Sequence, residues 1–349
     1  MKLRLCATWN SRIATAGSAI VTLAGVSHTS GGPRNAPPRR SWYDRRRAKA
    51  RRMAPLRWLE LTPDYRCNQR CVGCFAVQPD GPSMDAREIL DALARGRRDG
   101  ATSLWLGGGE PTLRRDLFAT ASAARRMGYA RIKLQTNGML LAYPGYARRC
   151  VDAGVTEVAF AIKGATADTH DAYTRTPGAH ALLVDGIAAA RDAGLALEGD
   201  LLVYRGNAAE VPAMVARYTP LGVAAYRVWL LSSTEGDVVE HVPRIADVMP
   251  HLSAARALGL STREDFITSL HTPPCTVPAR DAAMRFYAPD LALRVSNPGG
   301  HEFRLEASPM EGGRYLEGCA RCVHRPRCGG LRDDYLAAHG AQEFVPVTA

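Results

Sequence analysis

The N-terminal tail lacks the long hydrophobic run and the cleavage site that a membrane or secretory segment needs. Its apolar run, residues 14–26, is too short to span a bilayer, and Gly, Ser and Thr interrupt it. The tail has three interpretations: a signal peptide, a functional basic arm or a dispensable extension. The extension is favoured, and Met53 is then a plausible start. The nine cysteines are too few and too scattered for a disulfide-stapled scaffold, so we expect a cytoplasmic protein.

Residues 53–349 lack net charge, although the whole chain has a formal charge of +11. The entire excess lies in residues 1–52, where twelve Lys or Arg residues face one acid, Asp44. This segment is predicted to be a basic, disordered N-terminal extension. The neutral body disfavours nucleic acid as a partner. The chain also has no phosphate loop, nucleophile elbow or His-x-Glu deaminase signature, which excludes the chemistry of those motifs.

From Arg57 onward, short apolar runs alternate with helical patterns. One helix is predicted to begin at Asp85, with Glu88 completing a capping box. Repeated strand–helix units with short connections predict an α/β fold with a parallel sheet, here a partial (βα)6 TIM-like barrel. The six predicted strands are residues 57–61, 103–107, 131–135, 156–162, 195–204 and 226–231.

The pattern changes near residue 262, which predicts a core domain over residues 53–261 and a small C-terminal domain over residues 262–349. The stretch "MRFYAPDLALRVSN" predicts a hairpin that turns at Pro289–Asp290. In parallel barrels, functional groups gather where strands end. Each unusual motif of the core directly follows a predicted strand, which indicates one site at that rim.

Three cysteines, Cys67, Cys71 and Cys74, follow the first strand with the spacing C-x3-C-x2-C. A closed zinc or iron–sulfur site usually takes four protein ligands. Either a distant residue completes a zinc site, or one metal position is left open.

The cysteine loop resembles the signature of the radical SAM superfamily, and the order of motifs over residues 57–231 is similar as well. The resemblance implies that the three thiolates hold a 4Fe–4S cluster whose fourth iron binds S-adenosyl-L-methionine. Reductive cleavage would give a 5′-deoxyadenosyl radical that abstracts hydrogen from a substrate. A low-potential donor such as flavodoxin or ferredoxin would supply the electron.

The resemblance also implies a set of cofactor contacts after the next strands. Glycine carbonyls in "LWLGGGEPTL" can approach the methionine ammonium, "LQTNGMLL" lies near the nucleoside, and Lys163 meets the methionine carboxylate, the substrate or solvent. For the first two motifs, an ordinary turn is the alternative. The predicted cofactor-binding residues are Gly107, Gly108, Gly109, Glu110, Thr136, Asn137 and Lys163. Weaker candidates are Arg205, Asn207 and Arg227.

A second cysteine group, Cys319, Cys322 and Cys328, has Cys275 upstream. It resembles the auxiliary-cluster region of twitch- and SPASM-type radical SAM enzymes, although Arg332 stands where a further cysteine would fall. The resemblance implies one fully ligated auxiliary 4Fe–4S cluster. Structural zinc, with His324 as a possible ligand, and free thiols are the alternatives.

The leading interpretation is a radical SAM enzyme with an oxidoreductase-type reaction, acting in peptide maturation of the ribosomally made (RiPP) kind. Oxidation or rearrangement of a small molecule in a biosynthetic pathway is the alternative. A non-enzymatic metal-binding or electron-transfer protein is the competing class. No residue is assigned as catalytic, and no membrane partner is expected.

Overall fold

The computed structural model describes residues 55–74, 81–233, 238–308 and 312–348. The predicted N-terminal extension, residues 1–52, lies outside the described residues. The strands in the described part are β1 Trp58–Leu61, β2 Ser103–Leu106, β3 Arg131–Thr136, β4 Glu157–Ile162, β5 Ala196–Val203, β6 Val223–Leu230, β7 Ile267–Leu270, β8 Leu293–Asn297 and β9 His301–Arg304.

These strands form one sheet in the order β7-β6-β5-β4-β3-β2-β1-β8-β9. Every neighbouring pair is parallel except β8 and β9, which are antiparallel. The sheet has two edges, β7 and β9, and is therefore an open, partial barrel. The predicted α/β fold class is confirmed, with the six predicted strands adjacent in chain order.

Helices connect the parallel strands, as right-handed crossovers require. The first begins as predicted: the Asp85 carboxylate accepts a hydrogen bond from the Glu88 N–H, and the Glu88 carboxylate accepts one from the Asp85 N–H, both at 2.8 Å. The helices of the described part are α1 Ala86–Arg98, α2 Leu117–Arg126, α3 Tyr146–Ala153, α4 Ala167–Thr174, α5 Ala179–Asp192, α6 Val211–Tyr218, α7 Ile245–Ala257, α8 Ala288–Leu291 and α9 Asp333–His339. No helix in this part of the chain is long and apolar enough to cross a bilayer.

The two faces of the sheet differ in chemistry. Alternate residues such as Leu59 and Leu104 are fully buried in the main hydrophobic core, which includes the helices. The opposite face carries polar and aromatic side chains. There the Lys133 ammonium lies 5.3 Å from the Trp58 ring and 4.9 Å from the Trp105 ring. The inner face of the barrel therefore combines a hydrophobic cluster around Trp58 and Trp105 with charged and polar side chains.

The predicted hairpin at Pro289–Asp290 is wrong. These residues lie in α8, where the fixed φ of proline suits the first turn of a helix. The hairpin instead joins β8 to β9 through Pro298–Gly300, where Gly299 and Gly300 have φ of +76° and +74°. The domain boundary at residue 261 stays a prediction. β7 and β8 follow that boundary in the chain and belong to the same sheet as β1–β6.

Candidate active site

The cysteine loop, residues 62–74, leaves the C-terminal end of β1 and is held by backbone hydrogen bonds on two sides. On one side the Glu110 N–H donates to the Arg66 carbonyl at 2.7 Å. On the other the Val72 N–H donates to the Tyr173 carbonyl at 2.9 Å. The loop is thus fixed between the segment after β2 and the end of α4, at the rim where sequence analysis expected the site.

The side chains of Cys67, Cys71 and Cys74 all lie in this loop, and Cys74 is exposed. Gln69, nearly fully buried, connects two of them: its N–H donates to Cys67 Sγ at 3.4 Å, and Cys71 Sγ donates to its Oε1 at 3.3 Å. An N–H directed at a cysteine sulfur is a common feature of iron–sulfur sites. Burial raises the pKa of the Cys67 thiol to about 11, so a metal has to displace its proton.

Over the described residues, no three His, Cys, Asp or Glu side chains meet around a single ion-sized point. A cubane cluster requires a wider arrangement than one ion, because each thiolate binds its own iron atom. The three thiols on one short loop fit this requirement by donor type and number, with one iron left without a protein ligand.

The glycine loop after β2 lies directly against the cysteine loop. A Cβ on Gly108 would stand 2.5 Å from the Asp64 carbonyl oxygen, and one on Gly109 would stand 2.2 Å from the Arg66 carbonyl oxygen. Only glycine permits backbone contact this close. Gly108 and Gly109 therefore lie against the cysteine loop, and the predicted contact of Gly107, Gly108 and Gly109 with the cofactor stays a prediction.

Glu110 is fully buried, and its carboxylate accepts hydrogen bonds from protein donors. Oε1 accepts from Thr112 N at 3.0 Å and Thr136 Oγ1 at 2.7 Å, and Oε2 accepts from Asn137 N at 2.7 Å. Burial raises the pKa of Glu110, and these hydrogen bonds oppose the rise. Glu110 therefore connects the loop after β2 to the end of β3, a positioning role that sequence reasoning missed.

The two candidate nucleoside contacts lie at the C-terminal end of β3, beside the cysteine loop. Asn137 Nδ2 donates to Asn68 Oδ1 at 2.7 Å and lies 4.0 Å from Cys67 Sγ. Thr136 is engaged by Glu110 and accepts from the Gly138 N–H at 3.1 Å. The structure places both residues at the rim, and their contact with a nucleoside stays a prediction.

Lys163 follows β4 and is 3% exposed. Within the described part of the chain, its ammonium group has no hydrogen bond or ion pair. Its backbone is fixed, because its N–H donates to His170 Nδ1 at 3.3 Å and its carbonyl accepts from Asn207 Nδ2 at 2.8 Å. A lysine at the rim whose side chain is largely buried fits an anionic ligand group.

The three weaker candidates, Arg205, Asn207 and Arg227, lie in different surroundings. Buried Asn207 holds the backbone at Lys163, as described above, while Arg205 is exposed and donates through its N–H to the His241 carbonyl at 2.9 Å. Arg227 points into the barrel, where its guanidinium lies 3.5 Å from Glu198 Oε1. Arg227 therefore belongs to the interior charge network, away from the rim.

Sequence reasoning missed a buried polar pair inside the barrel. Gln135 Nε2 on β3 donates to Asp200 Oδ2 on β5 at 2.6 Å, and Asp200 Oδ1 has no hydrogen-bond partner within the described residues. Burial raises the pKa of the Asp200 carboxyl. The signal was the alternation of polar residues in "RIKLQ" and "LEGDLL", which places both side chains on the inner face.

The second cysteine group lines a single cavity. Cys275 follows β7, and Cys319, Cys322 and Cys328 come from the segment before α9. Burial, with further contributions from the neighbouring thiols, raises the pKa of Cys275 to about 12. The Gly330 N–H donates to Cys328 Sγ at 3.3 Å. Four thiols fit a fully ligated cluster by donor type and number. A zinc ion has the same donor preference, but the described side chains do not converge on a single ion-sized point.

Arg332 stands where a further cysteine would fall, and it connects the C-terminal segment to β6. It is 4% exposed and donates to the Leu231 carbonyl at 2.9 Å and to Asp334 Oδ2 at 2.8 Å. Asp334 in turn accepts from the Ser233 N–H at 2.9 Å. The arginine therefore fixes the loop that leaves β6, a role the sequence did not indicate.

The fold and the site together define an α/β protein with a parallel, partial-barrel sheet and a cysteine loop at its C-terminal rim. Residues 62–215 match the description "Radical SAM superfamily". This match covers the cysteine loop and the strands β2 to β5, and it confirms the predicted radical SAM superfamily and enzyme class. Radical SAM enzymes use a 4Fe–4S cluster and S-adenosyl-L-methionine as cofactors.

Two curated relatives show how far the sequence likeness extends. The chain is 33% identical over 183 residues to the AdoMet-dependent heme synthase of Methanosarcina barkeri, which covers 50% of this chain and 51% of that protein. It is 30% identical over 174 residues to a probable GTP 3′,8-cyclase of Saccharolobus solfataricus, covering 48% and 55%. The chain thus spans about half the length of these curated relatives.

Among solved structures, Streptococcus suis SuiB bound to the precursor peptide SuiA matches with a TM-score of 0.64 at 13% identity. This match covers 85% of this chain and 76% of SuiB. At this identity the likeness shows the fold alone, and that fold extends beyond the superfamily match into the C-terminal part of the chain.

Proposed function

We propose that the chain cleaves S-adenosyl-L-methionine reductively and abstracts hydrogen from a substrate bound at the open end of the barrel. The observation that carries this proposal is the position of the three-thiol loop, the glycine loop and the largely buried Lys163 side chain at one rim. A bound 4Fe–4S cluster at Cys67, Cys71 and Cys74 supplies the electron for this cleavage.

The residues around the cluster loop bind and orient the cofactor. Carbonyl groups of Gly107, Gly108 and Gly109 accept from the methionine ammonium, because the missing side chains let the backbone come close. Lys163 meets the methionine carboxylate, which would place an anion beside its positive charge. Glu110 acts behind this contact surface by holding the glycine loop and the segment after β3 together.

We further propose one auxiliary 4Fe–4S cluster held by Cys275, Cys319, Cys322 and Cys328. Four thiols leave no open position for a ligand, which suits electron transfer better than substrate binding. Such a cluster would accept an electron from the substrate radical and make the net reaction an oxidation. A zinc ion in the same cavity is the alternative, and iron and zinc analysis of the purified chain separates the two.

For the substrate, we propose a small molecule, with a peptide as the second candidate. The relatives that share 30% and 33% identity are named for making heme and cyclising GTP, both small-molecule reactions. The peptide candidate is supported by the match to SuiB, a protein solved with a bound precursor peptide, over 85% of this chain. We rank the peptide second because the identity to SuiB is 13%.

The test is anaerobic reconstitution with iron and sulfide, followed by addition of S-adenosyl-L-methionine and a reductant. We expect 5′-deoxyadenosine without added substrate, and its loss in the Cys71→Ala variant, because one iron would lose its ligand. Cys150→Ala is the matched control, since that buried thiol lies in α3, outside both cysteine groups. Iron-loaded protein that forms no 5′-deoxyadenosine would refute the proposal. Deuterium-labelled peptides and metabolites then identify the substrate class by label transfer to 5′-deoxyadenosine.

A further inference from the structure

His324 lies within the C-terminal cysteine segment and lines the cavity together with the four thiols. Its two ring nitrogens have different surroundings. Nδ1 lies 3.0 Å from the hydroxyl of Tyr287. Nε2 is buried and has no hydrogen-bond partner among the described residues. A buried polar nitrogen without a partner is costly, which points to a ligand that completes this site.

The chemistry of the cavity indicates which nitrogen carries the hydrogen. The four cysteine sulfurs line the same cavity, and as metal-bound thiolates they act as acceptors. An Nε2 lone pair facing them would be repelled, whereas an Nε2–H would be bound. The neutral ring then has an unprotonated Nδ1, which accepts a hydrogen bond from the Tyr287 hydroxyl. The guanidinium of Arg327, 3.9 Å from the centre of the Tyr287 ring, helps to hold that ring in place.

We propose that His324 donates an Nε2–H hydrogen bond to a sulfur of the auxiliary cluster, with Tyr287 fixing the tautomer. This inference rests on the auxiliary cluster of the proposed function. Because the four cysteines complete its coordination, His324 is a positioning residue that tunes the cluster rather than a ligand. A hydrogen bond to sulfur stabilises the reduced, more negative cluster and therefore raises its reduction potential.

The experiment measures the potential of the auxiliary cluster by EPR-monitored redox titration of the full chain. The background variant carries Cys67→Ala, Cys71→Ala and Cys74→Ala, so that the signal comes from the auxiliary cluster alone. In this background, we expect His324→Phe to lower the ratio of reduced to oxidised cluster about tenfold at a fixed potential. That change equals a negative shift of ~59 mV for a one-electron couple.

Three further variants make the result specific. His324→Gln restores an amide N–H at the position of Nε2, and we expect its reduction potential to lie close to that of the background variant. Tyr287→Phe keeps the imidazole but removes the hydroxyl that fixes its tautomer, and we expect a smaller shift of the same sign. His301→Phe is the control, because exposed His301 lies in β9 and does not line the cavity.

The outcomes distinguish a failure of this inference from a failure of the proposed auxiliary cluster. A cluster that forms in the background variant and keeps its potential in His324→Phe overturns the inference and leaves the auxiliary cluster standing. If His324→Phe loses its iron, Tyr287→Phe decides, and an unchanged potential there overturns the inference. A background variant that holds zinc, or no metal at all, overturns both the auxiliary cluster and the inference.

Discussion

At the scale of single residues, His170 shows how burial sets protonation at the rim. Its ring is fully buried, and Nδ1 accepts from the Lys163 N–H at 3.3 Å. Burial, aided by the charge of Lys163 and by the neighbouring His180, lowers the pKa of His170 to about 3. The unfolded chain binds that proton near pH 6.5. Between these values the unfolded state holds more protons, so stability falls as pH falls.

The first prediction removes this titration while keeping the hydrogen bond to Lys163. In His170→Asn, the side-chain carbonyl replaces Nδ1 as acceptor and no proton can bind. As pH falls from about 6.5 to 4, we expect the free energy of unfolding to fall more steeply in the wild type than in His170→Asn. The difference between the two slopes should be roughly 1.4 kcal/mol per pH unit. Urea unfolding of the metal-free chain at several pH values measures both slopes. Exposed His301→Asn is the control, and equal slopes in wild type and His170→Asn would contradict the prediction.

At the scale of elements, the contact between the glycine loop and the cysteine loop is the feature on which cluster binding depends. The side chain of Gly109→Ala would meet the backbone carbonyl of Arg66. A backbone carbonyl cannot rotate away from a contact as the end of a flexible side chain can. The cysteine loop would have to move away from the rim. In the neighbouring Gly107→Ala, the added carbon meets the flexible end of Gln135 at 3.2 Å, a contact that a small rotation relieves.

The second prediction follows from this difference. We expect Gly109→Ala to lose about half of the bound iron, namely the cluster at Cys67, Cys71 and Cys74, while the four-cysteine cavity keeps its own. Gly107→Ala should load normally and serves as the matched control. Iron and sulfide analysis after anaerobic reconstitution measures both variants. Full iron content in Gly109→Ala would show that the loop tolerates the displacement.

Local patterns predicted the elements well and the contacts between them poorly. The capping box at Asp85 and the strand at residues 131–135 follow from neighbouring residues, and the structure confirms both. The hairpin failed because Pro289 reads as a turn although it also suits a helix start. The hydrogen bond from Thr136 to Glu110 joins residues 26 positions apart, and no local pattern contains that information. The cysteines were predictable because metal ligation imposes a spacing on the sequence itself.

At the scale of the whole molecule, the C-terminal segment is joined to the sheet that carries the cysteine loop. β8 pairs with β1 in parallel, and the Thr62 N–H at the start of that loop donates to the Ser296 carbonyl at 3.0 Å. Arg332 and Asp334 connect α9 to the loop after β6, with Arg332 nearly fully buried. One sheet therefore supports both cysteine groups, which favours a shared reaction over two unrelated sites.

The third prediction tests whether the two groups divide that reaction between them. Cys322 contributes to the auxiliary cavity and has no place in the cysteine loop after β1. If the first cluster alone drives cleavage, Cys322→Ala still forms 5′-deoxyadenosine without substrate, at a rate within about twofold of wild type. Turnover of the identified substrate should stop, because its radical would have no electron acceptor. Chromatography of 5′-deoxyadenosine and of product, in parallel with Cys71→Ala, measures both steps. Loss of uncoupled cleavage in Cys322→Ala would mean that electrons reach the first cluster through the second, and the order of transfer would have to be reversed.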